Sequence, residues 1–369
     1  MSKKLLYLCL MTIMMVFSMS AYALDKVDGV YQIETASDFK AFAELVNGGD
    51  TYACAELIAD IDLGTDGTMI GSDTNRFRGQ FDGKGHTITV NFFPKADGQA
   101  LFRNIEGNAL VQNLKVQGKI TTGKKQAAGI AAWGRGTIRN CWVDLTVVSS
   151  VAGDGTHAGI VAVASEGLVL ENCLSQITIN GKATENCGGI VGWADGNLTA
   201  SNCLVINNGD LKLPSDCGTI SRNSSKLTNV NLTQYNGGNG DGYNWRPRGA
   251  NYNNYATTAW GNTSMVTIIN ENDLASGKIC YQLNNDQSTI AWVQDLGNDQ
   301  FPVPAVFSAS KKQVYASGAT GCDGKGTDLT YSNTGTVQAT AHTTDKFGIC
   351  TTCGHMELEK LPRDKADNS

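Results

Sequence analysis

The chain has 369 residues, of which 29 are Lys or Arg and 35 are Asp or Glu. This acidic balance argues against nucleic acid and against anionic membrane surfaces as partners. There are 42 glycines but only 6 prolines, and many Asn, Thr and Val residues, a composition that favours short strands joined by tight turns.

Residues 1–23 have the features of a secretory signal peptide. Lys3 and Lys4 precede an apolar run over residues 5–17, and Ala21-Tyr22-Ala23 supplies the small residues of a cleavage site. The run is shorter than the ~20 residues that a membrane-spanning helix needs. We therefore expect cleavage after Ala23, a secreted or cell-surface location, and no membrane span in the mature chain.

One amphipathic helix is predicted ahead of the strands. Ser37 is a suitable N-cap, Phe39, Phe42 and Val46 follow helical spacing, and Asn47-Gly48 is a stop signal. The end of a stack of strands exposes unpaired backbone groups. We therefore expect this helix to cover that end.

Internal repetition is the strongest signal in the sequence. Segments of similar sequence place isoleucines 30 residues apart, at Ile130, Ile160, Ile190 and Ile220. A second series puts Asn before a small or medium apolar residue, at Asn113-Leu114, Asn140-Cys141, Asn172-Cys173, Asn202-Cys203 and Asn229-Val230. A 30-residue unit cannot bury an apolar face alone, but stacked units pair each strand with its equivalent ~4.8 Å away. The sequence predicts an all-β fold, a right-handed parallel β-helix of about five coils over residues 24–230, including the capping helix.

Stacking gives each column of the repeat a role. The Ile and the Cys, Leu or Val columns should point inward, and the Asn column should lie at a bend where each amide bonds its neighbour. Another column contains His157, Cys187 and Cys217, and Ala127 occupies it one coil earlier. That alanine disfavours a metal site, and leaves Cys187 and Cys217 either as a disulfide or as stacked thiols.

Asp82 and His86, four residues apart in a glycine-rich turn, could indicate catalysis. We predict instead that Asp82 accepts hydrogen bonds from turn amides and that His86 begins the next strand. Asp60 and Asp62 alternate with apolar residues, so they should share an outward strand face.

The order of these motifs resembles that of bacterial secreted and surface proteins with GLUG-type repeats. A helix ending in VNGG is followed by ADIDL, IG, F-x-G-x-FDGKGHTI, LF and repeated GI-x-x-W segments, roughly over residues 30–230. The resemblance implies a right-handed parallel β-helix in a secreted or surface-displayed scaffold for adhesion or extracellular polymer interaction. It implies no catalytic residues.

Residues 231–265 are rich in Gly, Asn and aromatic residues, which is typical of a long surface loop. Flat rings stack on sugars while Asn and Asp bond hydroxyls, so the candidate ligand-binding residues are Tyr235, Tyr243, Trp245, Tyr252, Tyr255 and Trp260. The alternative is that these rings fold back over the last coil. Residues 266–310 resemble a short cap or connector module that follows repeat arrays in secreted proteins of anaerobic Gram-negative bacteria.

Residues 311–369 form a predicted small Cys-containing tail. Cys350 and Cys353 have the Cys-x2-Cys spacing of a zinc knuckle, and Cys322 and His342 would complete four ligands, with His355 as a substitute. Such a closed site would stabilise the fold and would not catalyse. Disulfides from Cys350 to Cys353 or to Cys322 are the alternatives. No other cofactor is expected.

The sequence predicts a non-enzymatic, adhesin-like secreted or cell-surface protein that binds extracellular glycan or protein ligands. The alternative is a polysaccharide lyase or glycoside hydrolase built on a β-helix. Those enzymes need a cluster of carboxylates. The acids of the repeats are instead scattered over turns and different columns: Asp144, Asp154, Glu166, Glu171, Glu185 and Asp195.

Overall fold

The computed structural model describes residues 24–195, 197–206, 216–218, 227–230, 232–235, 266–269, 271–284, 287–317 and 329–335. The strands within these residues are β1 Lys26–Val27, β2 Val30–Ile33, β3 Ala55–Leu57, β4 Ile61–Asp62, β5 Gln80–Asp82, β6 Thr87–Phe92, β7 Phe102–Ile105, β8 Leu110–Gln112, β9 Lys115–Thr122, β10 Ala131–Arg139, β11 Trp142–Asp154, β12 Val161–Glu171, β13 Leu174–Gly188, β14 Val191–Ala194, β15 Leu198–Ser201, β16 Leu204–Ile206, β17 Asp216–Gly218, β18 Leu227–Val230, β19 Leu232–Tyr235, β20 Val266–Ile269, β21 Trp292–Val293, β22 Val303–Pro304, β23 Tyr315–Ser317 and β24 Thr330–Ser332. The helices are α1 Ala36–Asn47, α2 Glu271–Ala275 and α3 Lys278–Asn284, and a 3₁₀ turn spans Ala305–Phe307.

The strands stack into two long sheets. One has the order β1-β2-β3-β5-β8-β10-β12-β15-β18, with β7 beside β10 and β14 beside β12. The other has the order β4-β6-β9-β11-β13-β16-β19-β20, with β17 beside β13. All pairs in both sheets are parallel except the β1–β2 hairpin. The chain therefore alternates between the sheets and advances one strand per coil, which confirms the predicted parallel β-helix of about five turns.

Strand β10 turns a corner at glycine. In β10 the register shifts between Gly134 and Gly136, where the strand stops pairing with β7 and begins pairing with β8. A Cβ on Gly134 would lie 2.5 Å from the carbonyl oxygen of Ile105. Glycine is needed here because the backbones of successive coils approach too closely for a side chain.

The next corner is the predicted asparagine column. Asn113, Asn140, Asn172 and Asn202 all have φ between 50° and 54°, the left-handed conformation that Asn tolerates better than most residues. The Asn140 amide donates to Oδ1 of Asn113 at 3.1 Å. The Asn column thus marks where each coil changes direction, and its side chains connect successive coils.

The fifth predicted member of this column was wrong by two residues. Asn229 pairs with Ala200 and therefore precedes the corner. The flanking pairs Leu198–Leu227 and Leu204–Thr233 both have an offset of 29 residues. The sequence position equivalent to Asn202 is therefore 231, which lies outside the described residues.

The inward columns form the core. Ile130, Ile160 and Ile190 are fully buried, as are the cysteines at positions 141, 173 and 203, while Ile220 lies outside the described residues. Each of these three thiols donates to the backbone carbonyl two residues earlier, at 3.3 Å. Burial raises the pKa of the Cys141 and Cys203 thiols, so both stay protonated and act as small apolar side chains.

Helix α1 packs on the first coils. Its N-cap is Thr35 and not the predicted Ser37, because Asp38 completes a capping box: Thr35 Oγ1 accepts from the Asp38 amide and the Asp38 carboxylate accepts from the Thr35 amide. Phe39 and Phe42 are buried, as predicted, and their rings lie 6.2–6.5 Å from those of two core phenylalanines, Phe77 and Phe81.

The acidic turn before β6 is structural, as predicted. Asp82 accepts from the Lys84 backbone amide at 2.8 Å and from the Asn113 side chain at 3.0 Å. His86 immediately precedes β6 and lies 3.1 Å from the Asp60 carboxylate, so it does not contact Asp82 as a catalytic partner. Asp60 and Asp62 are both exposed, in agreement with the predicted outward face.

The segment after β20 packs along the side of the β-helix. Leu174 and Leu204 point out of their sheet and are nevertheless fully buried, because Leu283 and Trp292 of this segment cover them. The contacts continue past residue 310, the predicted end of the connector, since Asn333 donates to the backbone carbonyls of residues 294 and 313. We call the described residues of this segment, 271–284, 287–317 and 329–335, the side module. Among the described residues, no helix is long and apolar enough to cross a bilayer.

Candidate ligand-binding site

A tryptophan at the seam between the β-helix and the side module is the starting point of the site. Cys141 faces the core, so the next residue, Trp142, faces outward from β11. In register it lies between Lys115 on β9 and Leu174 on β13. The side module covers Leu174 but leaves Trp142 half-buried at its edge.

Two phenylalanines of the side module complete an aromatic wall. The ring of Trp142 lies 6.4 Å from that of Phe301 and 5.9 Å from that of Phe307, both edge-to-face. A cavity of about 440 Å³ opens beside these rings. We call it the aromatic pocket. Its other lining residues are mostly polar: Asn298, Asp299, Gln300, Val303, Ser308, Ala309 and Ser310.

Neighbouring strands fix the indole in place. Its Nε1 donates to Oε1 of Gln176 at 2.7 Å, and Nζ of Lys115 lies 3.7 Å from the ring centroid. This cation–π contact and the hydrogen bond hold the ring in one orientation before any ligand arrives. Preorganisation of this kind lowers the entropic cost of binding.

The charged neighbours of Trp142 are partly desolvated. Burial lowers the pKa of Lys115, although the nearby Asp144 and Asp60 oppose that shift. Burial likewise raises the pKa of Asp144, opposed by Lys115. Lys115 and Asp144 thus carry opposite charges next to the ring, with Lys115 partly buried and Asp144 exposed at the strand surface.

The chemistry of the aromatic pocket fits a sugar. Rings provide flat apolar surface for one face of a pyranose, while amides, hydroxyls and a carboxylate provide donors and acceptors for its hydroxyl groups. The rim supplies both hydrogen-bond donors and acceptors, from Asn298, Gln300, Ser308 and Ser310.

A second cavity adjoins the asparagine corners on the same seam. Its volume is about 450 Å³, and we call it the corner cavity. Three successive coils contribute Gln112, Asn113, Arg139, Asn140, Glu171 and Asn172, and the side module contributes Thr289, Ile290, Ala291, Ala305 and Val306. It is thus polar on the β-helix side and apolar on the module side.

Most of the predicted site residues lie outside the described residues. Of the six candidate aromatic residues, Tyr235 is the last residue of β19, and Tyr243, Trp245, Tyr252, Tyr255 and Trp260 lie outside the described part of the chain. The predicted zinc ligands Cys322, His342, Cys350 and Cys353 also lie outside it, as does His355. Within the described ranges, no three His, Cys, Asp or Glu side chains are grouped as a metal site.

The predicted His157 column holds a buried Ser–His contact. Nε2 of His157 lies 2.9 Å from Oγ of Ser149, and Nδ1 accepts the backbone N–H of Ala127 at 3.2 Å. Because Nδ1 accepts, the imidazole proton is on Nε2 and is donated to the serine. A base that activates serine must do the opposite. Burial also lowers the pKa of His157 to about 4, so the pair is neutral and structural. In the same column, Cys187 is buried and Cys217 lies in β17.

Comparison with known proteins adds support for the fold. No family model matches the chain, and no curated protein sequence matches it. It is similar to the crystal structure of a protein from Bacteroides ovatus described as a "putative immunoglobulin A1 protease", with a TM-score of 0.51 and 16% identity over 76% of this chain and 94% of that chain. At such low identity the likeness shows the fold alone.

The aromatic pocket was missed in the sequence, although a signal for it exists. An apolar residue directly follows the inward cysteine in three successive coils, at Trp142, Leu174 and Leu204. Strand alternation points these residues outward, so an apolar outward column implies a covering segment. The identity of that segment is not encoded locally, because Phe301 and Phe307 are distant in sequence.

Proposed function

We propose that this protein is an exported, non-enzymatic, adhesin-like scaffold that binds extracellular glycans at the aromatic pocket. The observation that carries the proposal is the convergence of Trp142, Phe301 and Phe307 on one cavity with a polar rim. The predicted signal peptide of residues 1–23 supports an extracellular role. The stacked repeats serve as the rigid support for the pocket.

The side module strengthens the case for a formed site. It is held to the β-helix by a buried apolar cluster that includes Leu283 and Trp292. A hydrogen bond of 2.9 Å from Gln287 to Asn172 also joins the two parts. Because these contacts hold the module wall of the pocket against the β-helix wall, the rings need little rearrangement on binding.

Affinity electrophoresis against soluble polysaccharides tests the proposal. The panel contains xylan, mixed-linkage β-glucan, homogalacturonan and gastric mucin. We expect retardation by at least one of them, and Trp142→Ala should weaken it at least tenfold, since stacking and its buried area contribute about 1.5 kcal/mol or more. Tyr52→Ala is the matched control, because that ring is 71% exposed and lies outside the pocket. Retardation unchanged by Trp142→Ala would contradict the proposal.

The alternative sites and activities are tested with the same protein. Trp245→Ala and Trp260→Ala examine the predicted aromatic loop, and loss of binding in these variants alone would move the site there. Release of reducing sugar from the panel would favour the polysaccharide-degrading alternative. Cleavage of immunoglobulin A1 would favour an activity like that named for the Bacteroides ovatus protein.

A further inference from the structure

The two cavities lie next to each other along one seam. On the β-helix wall, Arg139 lines the corner cavity and Trp142 lines the aromatic pocket. Three residues of extended chain span at most about 10 Å. On the module wall, Val306 lines the corner cavity and the next residue, Phe307, lines the aromatic pocket. A linear ligand that leaves one cavity can therefore enter the other without crossing a coil.

The corner cavity contains two charged side chains, Arg139 and Glu171, whose hydrogen-bonding atoms are only partly engaged by the described residues. Nε of Arg139 donates to Oε1 of Gln112 at 2.8 Å, and that amide in turn donates to Asp82 at 2.9 Å. Arg139 and Glu171 are register neighbours on β10 and β12. In the described ranges, however, no ion pair joins them, and neither the terminal guanidinium nitrogens of Arg139 nor the Glu171 carboxylate has a hydrogen bond.

Two side-chain amides at the asparagine corner, those of Asn140 and Asn172, also have an atom without a hydrogen bond in the described part of the chain. Asn140 uses its Nδ2 to donate to Asn113, and Asn172 uses its Oδ1 to accept from Gln287. Oδ1 of Asn140 and Nδ2 of Asn172 remain for a ligand, because neither atom has a hydrogen bond among the described residues. The wall thus offers donors and acceptors side by side, the pattern that vicinal hydroxyl groups satisfy.

The opposite wall is aliphatic. Val306 and Ile290 line it, and Ile290 is 41% exposed, so part of its side chain is open to a ligand. An apolar wall facing donors and acceptors matches the amphipathic faces of a sugar ring. Arg139 and Glu171 bring opposite charges to the same wall, so the cavity has no excess positive charge that would favour an acidic sugar.

We propose that the corner cavity is a second sugar subsite continuous with the aromatic pocket, and that it selects a neutral sugar of a linear oligosaccharide. Arg139 donates to sugar oxygens, Glu171 accepts from hydroxyl groups, and Ile290 contacts the ring. This inference rests on the proposed function, since the aromatic pocket must bind the adjacent sugar.

Isothermal titration calorimetry with defined oligosaccharides tests this subsite. The probes are xylo- and gluco-oligosaccharides of one to six units, with galacturono-oligosaccharides as the acidic series. We expect affinity to rise at least tenfold once a neutral chain is long enough to occupy both cavities. Arg139→Met and Glu171→Gln should each reduce the affinity for long chains about tenfold, to near that of short ones. Glu166→Gln is the matched control, because this carboxylate is exposed on the same strand and lies outside both cavities.

The outcomes separate the two proposals. Binding that does not depend on chain length, or that both cavity variants retain in full, would overturn the subsite and leave the aromatic pocket in place. Tighter binding of the acidic series would overturn its neutral selectivity. Failure of every series and of the polysaccharide panel would overturn the proposed function as well. Thermal unfolding of each variant shows whether an affinity loss reflects a folded protein, and Glu171→Gln keeps the shape of the side chain.

Discussion

Acidification should destabilise the β-helix through one buried histidine. His157 is fully buried, its two nitrogens are occupied by Ala127 and Ser149, and its pKa is lowered to about 4 by burial, against a small opposing effect of Asp154. An unfolded chain protonates the same imidazole near pH 6.5. The unfolded state therefore gains the proton first as the pH falls.

The sign and size of the effect follow from these two values. Stability from the neutral histidine is complete above about pH 6.5 and is lost as the pH falls towards 4. At 1.36 kcal/mol per pKa unit, the full difference corresponds to about 3 kcal/mol. Between pH 7.5 and pH 5.0, the part expected from linkage is about 2 kcal/mol.

Urea unfolding of the wild type and of His157→Gln, at pH 7.5 and 5.0, measures this contribution. Glutamine still bonds Ser149 but does not titrate, so the variant is expected to be less stable at pH 7.5 and to lose about 2 kcal/mol less on acidification. His86→Gln is the control, because that side chain is partly exposed in a pair with Asp60 that solvent screens. An equal acid-induced loss in the wild type and in His157→Gln would refute the assignment of the effect to His157.

Three further predictions concern the cap, the side module and a buried carboxylate. Thr35→Ala should lower the free energy of unfolding by about 1 kcal/mol and Ser37→Ala by much less, which urea titration of both variants checks. Gly85→Ala should loosen the side module, because the new Cβ would lie 2.8 Å from the carbonyl oxygen of Val306. Limited proteolysis measures this, with Gly107→Ala as a control that shares a positive φ but has no atom within 4 Å. Burial acts to raise the pKa of Glu106, but hydrogen bonds from Arg76 and Arg135 outweigh it and hold the pKa below its usual value. Glu106→Gln should therefore cost about 1–2 kcal/mol at pH 7, whereas the exposed Glu166→Gln should cost close to nothing, as compared by thermal unfolding.

The stacked part of the fold can be predicted from the sequence because equivalent positions in successive coils have the same environment and therefore similar residues. Ile130, Ile160 and Ile190 repeat every 30 residues and bond each other's backbone in register. Asn140 and Asn172 repeat for an equally local reason, since each corner needs a left-handed residue. Where the repeat length changes, as near Asn229, the sequence pattern predicts a corner residue two positions away from the one that the strand register indicates.

The aromatic pocket depends on contacts that no periodic pattern encodes. Trp142 is brought to Phe301 and Phe307 by the way the side module lies on the outward face of β11 and β13. Only the outward leucines at 174 and 204 indicate that something must cover this face. The N-cap was misplaced for a related reason, because both Thr35 and Ser37 suit the position and Asp38 decides between them.

A crystal structure of the protein with a bound neutral oligosaccharide would show directly whether a sugar occupies the two cavities. We expect one sugar ring against Trp142, Phe301 and Phe307, and the next ring between Arg139, Glu171 and Ile290. An oligosaccharide bound only within residues 236–265, or elsewhere on the coils with the aromatic pocket empty, would contradict this expectation.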